Sequence, residues 1–117
     1  MQKVKFIFAL EPHNMTQELK NVVDIIVRDF APDKIILFGS RARGDFKKNS
    51  DYDLLVLKND LKDSDSIEKK IYQRMVGTGV GVDVLVDTQS RFNTLSLNPY
   101  LIYKMIMKEG KTLYEKK

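Results

Sequence analysis

Asp51 and Asp53, on either side of Tyr52 in the stretch FGSRARGDFKKNSDYDLLVL, are the residues of this chain whose types and spacing most plainly support chemistry. Side chains at i and i+2 of an extended segment point to the same face, so the pair presents two carboxylates about 6 to 7 Å apart where the segment begins. A third acid, Asp83, stands inside the apolar run of residues 82–86. It joins the pair if that run lies beside residues 54–57 at the strand spacing of about 4.8 Å. Three carboxylates at such range repel one another and burial adds to the cost, so they hold protons unless a dication neutralises them. Magnesium suits this set, because it takes oxygen ligands, keeps some water and commonly bridges one or two carboxylates to substrate phosphates. The residues ahead of the pair suit those phosphates. Gly39 lets backbone approach a ligand closely, Ser40 opens a segment able to turn into a short helix with free N–H groups, and Arg41 and Arg43 add fixed positive charge.

Composition narrows the field. At 117 residues, 43% hydrophobic and 31% charged, residues 1–117 fit a single domain, with too little chain for two independent cores. With no cysteine and one histidine, His13, the chain has neither a thiol nucleophile nor the usual ligands of a zinc centre, so any metal must sit on oxygen. Apolar runs are short and the start MQKVKF lacks the apolar stretch of a signal peptide, so the expectation is a cytoplasmic protein with no membrane span. The formal charge of +4 is spread over lysines that occur singly or in pairs without aromatic interleaving, which favours a solvated surface over direct nucleic-acid binding.

Hydrophobic periodicity supplies the elements that position these residues. Residues 3–10 alternate as a half-buried strand, and Thr16 caps a helix whose apolar positions 19, 22, 23, 26, 27 and 30 run to a stop at Pro32. Residues 35–38, 54–57 and 82–86 read as buried strands forming the centre of a sheet. Asp65 with Glu68 reads as the start of a helix that buries Ile67, Ile71 and Met75 and ends at Gly77. A short helix at 89–97 with Asp87 as its cap precedes a last helix. That helix is capped by Asn98, has Pro99 at its first position, buries Leu101, Ile102, Met105 and Ile106, and ends at Gly110 ahead of a short extended segment, 111–115. The second strand follows the first too soon for a long crossover helix. The expected class is therefore α/β (α+β), a small mixed β-sheet covered by helices.

Several residues carry plainer readings. Asp87 shares a strand face with Asp83 and competes as third ligand, with the position of Asp83 inside the apolar run favouring Asp83. Asp45 and the acids at 60, 63 and 65 read as turn and cap residues. The GTGVG of residues 77–81 follows a helix and precedes a strand, the reverse of a dinucleotide fingerprint, and reads as a helix stop and tight turn. His13 reads as a surface loop residue, and Tyr52, Met75, Met105 and Met107 as packing.

The Gly-Ser pair, the ten-residue spacer, the DxD and the later acid together resemble the minimal nucleotidyltransferases of the DNA polymerase β superfamily. The resemblance runs through FGSRARGD, SDYDLLVL, VDVLV and a closing helix into EGKTLYE. It implies a polymerase β palm-like nucleotidyltransferase fold, with Gly39 and Ser40 on a triphosphate and Asp51, Asp53 and Asp83 on one or two Mg2+ ions, ATP being the substrate. Minimal members resemble the antitoxin of a two-gene module whose partner is a HEPN-domain ribonuclease toxin. The activity implied is AMP transfer to a tyrosine hydroxyl of that toxin, with Asp83 the candidate base and a hetero-oligomer with the partner. Two alternatives stand beside it. One is a non-catalytic module that neutralises its partner by contact; the other is nucleotidyl transfer to a small molecule such as an aminoglycoside.

Overall fold

The computed structural model describes residues 16–116; the expected strand at 3–10 and His13 lie outside the described residues. The elements are α1 (Gln17–Phe30), β1 (Lys34–Phe38), α2 (Ser40–Arg43), β2 (Tyr52–Leu57), α3 (Ser64–Val76), β3 (Val82–Asp87), α4 (Gln89–Leu95), α5 (Ile102–Glu109) and β4 (Lys111–Glu115). They build a mixed four-stranded sheet of order β3-β2-β1-β4. β1 runs antiparallel to β2 and β4, while β2 and β3 run parallel. The β2–β3 connection, which carries the long helix α3, makes the parallel crossover, while the shorter β1–β2 connection, with only the four-residue α2, returns antiparallel.

Strand alternation splits the core into two layers. One face of the sheet (Ile35, Leu37, Leu54, Val56, Val84, Val86) packs under α1 and α3. The other (Ile36, Phe38, Leu55, Leu57) packs under Phe92 of α4 and Ile106 of α5. α1 buries Leu19, Val22, Val23 and Ile26, the stripe expected from their spacing, and Thr16 caps it by accepting the Leu19 N–H at 3.1 Å. Leu54 is fully buried, so Leu54→Ala is a substitution of the class that costs about 2–5 kcal/mol.

Several expectations are corrected. The segment 82–86 is an edge strand rather than a central one. It reads as buried because α3 covers its open side: the Tyr72 hydroxyl accepts the Val84 N–H at 3.0 Å and Glu68 Oε1 accepts the Val86 N–H at 3.1 Å. Glu68 is thus used across the sheet edge, and Asp63 caps α3 by accepting the N–H groups of Asp65 and Ser66. α4 is capped by Thr88, not Asp87. α5 begins at Ile102, because Asn98 closes a turn of its own by accepting the Tyr100 N–H at 2.9 Å. Its buried face is accordingly narrower: Ile106 is buried, whereas Leu101, Ile102 and Met107 are exposed. No helix among the described residues is long and apolar enough to cross a membrane.

Candidate active site

Register brings the acids together. Asp53 pairs with Asp83 across the parallel β2–β3 ladder and with Phe38 across the antiparallel β1–β2 ladder. The residue after Phe38 is Gly39, whose backbone therefore lies against the Asp53 carboxylate. Gly39 has φ 73° and ψ −157°, a region open almost only to glycine, and a Cβ there would overlap Asp53 Oδ2. The Gly-Ser turn and the DxD are thus one packed unit. Asp51 stands one residue before β2, and alternation places it on the face of Asp53, with the buried Tyr52 turned to the opposite side.

This face is the one covered by α4 and α5. Their cover reaches Leu55 and Leu57, and the acids lie at the other end of the strands. Asp51 and Asp83 are exposed and Asp53 is half-buried. Burial pushes the Asp53 carboxyl above its usual value, the charges of Asp83 and Asp51 push it further, and the charge of Arg43 pulls it back. Those interactions show that the three acids and Arg43 share one electrostatic neighbourhood.

The arginines part company. Arg43 is exposed and bridges Asp45 and Glu109, each at 3.3 Å, both of which raise its pKa. Arg41, paired with it as a phosphate ligand on sequence grounds, is buried and turned away from the acids into the 44–51 loop. Its guanidinium donates to Lys48 O at 3.2 Å and Ser50 O at 2.9 Å and stacks on Phe46 and Tyr52, with centroids 4.3 and 4.4 Å away. It thereby fixes the loop that delivers Asp51. Tyr52 extends the scaffold, its hydroxyl lying 2.8 Å from Thr16 Oγ1. Ser40, half-buried, is the first residue of α2 directly after Gly39.

Asp87, the rival third acid, is set at the far end of β3 opposite Leu57. It is buried and accepts from Arg91 Nε at 2.9 Å, the Tyr103 hydroxyl at 2.8 Å and the Thr88 N–H at 2.8 Å. It is a structural acid. Asp83 has a different neighbour: its Oδ1 accepts from the Tyr72 hydroxyl at 3.3 Å. Tyr72 escaped sequence reasoning, because its position on the exposed side of α3 gives no sign that it meets the strand edge.

In donor chemistry the acids suit a hard dication, whose charge would relieve their mutual repulsion. Among the described residues, however, no three acidic or imidazole side chains are gathered tightly enough to form a ready-made cage. Asp51, Asp53 and Asp83 share a face and a charge field.

Comparison with known proteins identifies the family. The profile of the family described as polymerase beta, nucleotidyltransferase, matches residues 20–117. A "putative protein adenylyltransferase" of Methanocaldococcus jannaschii is 33% identical over 81 residues, covering 69% of this chain and 77% of that protein. The protein adenylyltransferase MntA of Aphanizomenon flos-aquae is 31% identical over 83 residues, covering 69% of this chain and 55% of the relative. A crystal structure described as a toxin-antitoxin with AMP-PNP superposes with a TM-score of 0.60 at 28% identity, covering 87% of this chain and 76% of that one. The paired acids on adjoining strands, the Gly-Ser turn packed against one of them and a profile match over most of the sequence have one reading: this chain belongs to the polymerase β family of nucleotidyltransferases, and it is a nucleotidyltransferase.

Proposed function

We propose that this enzyme transfers AMP from ATP, with Mg2+, to a tyrosine hydroxyl of a HEPN-domain ribonuclease toxin, and so acts as that toxin's antitoxin. The observation that carries the reading is the Asp53–Asp83 pair on neighbouring strands with Gly39 against one of the two. The names of the relatives support a protein acceptor and an adenylyl group, and the AMP-PNP neighbour supports an adenine nucleotide in a toxin-antitoxin setting. The 97–107 segment exposes Leu97, Tyr100, Ile102 and Met107, apolar surface that favours a protein partner over a small-molecule acceptor.

In this reading Gly39 and Ser40 admit the triphosphate, and Arg43 leaves Asp45 or Glu109 to meet its charge. Asp51, Asp53 and Asp83 hold the dication, which when bound supplies charge neutralisation at the transferring phosphate and the departing pyrophosphate. A tyrosine hydroxyl, with a pKa near 10, needs its proton taken. Asp83 takes it at a carboxylate oxygen as the phenolic oxygen bonds to the α-phosphorus and the bond to pyrophosphate breaks. The Asp83 carboxylate already accepts a hydrogen bond from one phenol, that of Tyr72.

The test is to mix the purified protein with a HEPN-domain toxin, sought in the gene adjoining its own, together with ATP and Mg2+, and to weigh that partner. The expected result is a gain of one or more AMP units on a tyrosine; an unchanged mass with every nucleotide overturns the reading. The loosely gathered acids favour one rival, neutralisation by contact alone. Under that rival, the double variant Asp51→Asn, Asp53→Asn still protects cells from the toxin.

A further inference from the structure

Residues 77–81 place three glycines in five positions, and the structure gives them three different surroundings. Gly77 closes α3 in ordinary right-handed geometry, φ −71° and ψ −13°, and a Cβ there would make an unstrained 4.0 Å contact with Arg74 O. Gly79 has φ 72° and open space around it, so it is required by the turn. Gly81 fits neither description. Its φ lies outside the left-handed region, so the backbone there accepts any L-residue. Yet a Cβ at Gly81 would overlap Asp51 Oδ1 and come within 3.1 Å of Asp51 Cγ. The Gly81 carbonyl also accepts the Tyr52 N–H at 3.0 Å, which pins the two segments side by side. A helix stop and tight turn explain Gly77 and Gly79 and leave Gly81 without a reason.

We infer that Gly81 is a positioning residue for the nucleotidyltransferase site: its missing side chain is the space in which the Asp51 carboxylate rests, between the start of β2 and the start of β3. This deepens the proposed function and rests on its assignment of Asp51 as a ligand of the dication. The obstruction at Gly81 is the tip of an exposed side chain, not backbone. A methyl group there is accommodated by swinging Asp51 aside, so the fold survives while the carboxylate moves. The expected signature therefore separates function from stability. Glycine-to-alanine changes at compatible backbone positions normally stabilise by restricting the unfolded chain, and Gly81→Ala keeps that gain while disturbing the site.

The experiment compares wild type, Gly81→Ala, Gly77→Ala, Asp51→Ala and the double variant Gly81→Ala with Asp51→Ala. It reads thermal midpoints in EDTA, Mn2+ binding by calorimetry, AMP transfer, and a crystal structure of Gly81→Ala. Gly81→Ala is expected to melt at or above wild type, with Asp51 displaced in the crystal. Its Mn2+ affinity and transfer rate should fall by about tenfold or more, the loss seen when a support of a metal ligand is removed. Gly77→Ala should match wild type in both. If Gly81→Ala melts lower, truncating Asp51 in the double variant restores the midpoint, since the clash is with that side chain. An undisplaced Asp51, or a melting loss that the double variant does not restore, overturns the inference. Wild-type binding and transfer by Gly81→Ala overturn it alone when Asp51→Ala loses both. Binding by Asp51→Ala as tight as wild type instead removes Asp51 from the ligand set and overturns the functional reading together with this one.

Discussion

Strand β3 carries two aspartates on one face, four residues apart, and treats them in opposite ways. Asp87 is 5% exposed and surrounded by donors: Arg91, the Tyr103 hydroxyl and the Thr88 N–H. Asp83 is exposed, pairs in register with another acid, Asp53, and lies at the end of the sheet that α4 and α5 leave open. A buried carboxylate kept for the fold is saturated with hydrogen bonds, because an unpaired one costs several kcal/mol. Asp53, proposed here to bind the dication, stands near two other acids at a cost to the fold, which shows as its raised pKa. Charge compensation, more than sequence position, separates the two aspartates of this strand.

The largest expected effect comes from neutralising an acid at the open end of the sheet. Asp53→Asn is expected to lower AMP transfer by about 10^2–10^3-fold or more, the scale of losing one electrostatic contact to the transferring group. The same variant is expected to melt higher than wild type in EDTA at neutral pH. The sign follows from the raised pKa of Asp53. The folded state disfavours the ionised carboxyl, so the penalty is fully present at high pH and fades as pH falls through the raised value towards the ordinary carboxylate range. The gap between the two melting curves should close over that interval. A variant that melts lower at pH 7 breaks the idea that these acids burden the fold.

Asp87→Ala probes the other end and should invert the pattern. It strands the Tyr103 hydroxyl and the Arg91 guanidinium, and an expected loss of about 2–3 kcal/mol follows from removing the buried member of a part-exposed cluster. Arg91 is itself 65% exposed, which keeps the loss below the range for a fully buried pair. Chemical denaturation measures it, while transfer per folded molecule should be unchanged. Loss of transfer with stability intact would make Asp87 the third working acid in place of Asp83.

How legible this division was in the sequence depends on whether the deciding contacts are local. Asp51 and Asp53 on one face follow from strand alternation, and α1 from a stripe ended by Pro32. The mixed sheet follows from the lengths of its connections. The place of Asp83 within an apolar run is a weaker clue; the register shows that it is Asp83, not Asp87, that stands opposite Asp53. Arg41 and Arg43 look equivalent as residues two apart in SRARG. What parts them is a cage made by Phe46, Lys48, Ser50 and Tyr52, visible only once the loop is folded. Val82–Val86 carries the composition of a central strand because Tyr72 and Glu68, from a helix ten or more residues earlier, occupy its open edge. Asn98 and Pro99 form a sound helix start by local rules, and the competing turn that Asn98 makes with Tyr100 displaced it.

The smallest effect sharpens the comparison from the structural end. Burial, and then the hydrogen bond to Asp87, push the Tyr103 hydroxyl up to about 12. In the unfolded chain the group ionises near pH 10. Between those values the folded protein holds a proton that the unfolded chain has released, so this hydroxyl's contribution is complete below pH 10 and is lost as pH climbs towards 12. Tyr103 is half-buried, and with solvent screening of its exposed part the contribution is expected to be about 1 kcal/mol at most. Urea titrations of wild type and Tyr103→Phe at pH 9, 10 and 11 measure it. Wild type should be the more stable at pH 9, where Asp87 keeps its phenol donor, and the difference should narrow at each higher pH. A constant difference would mean that the phenol serves only as a packed ring, and that the compensation credited to Asp87 comes from Arg91 and the Thr88 N–H alone.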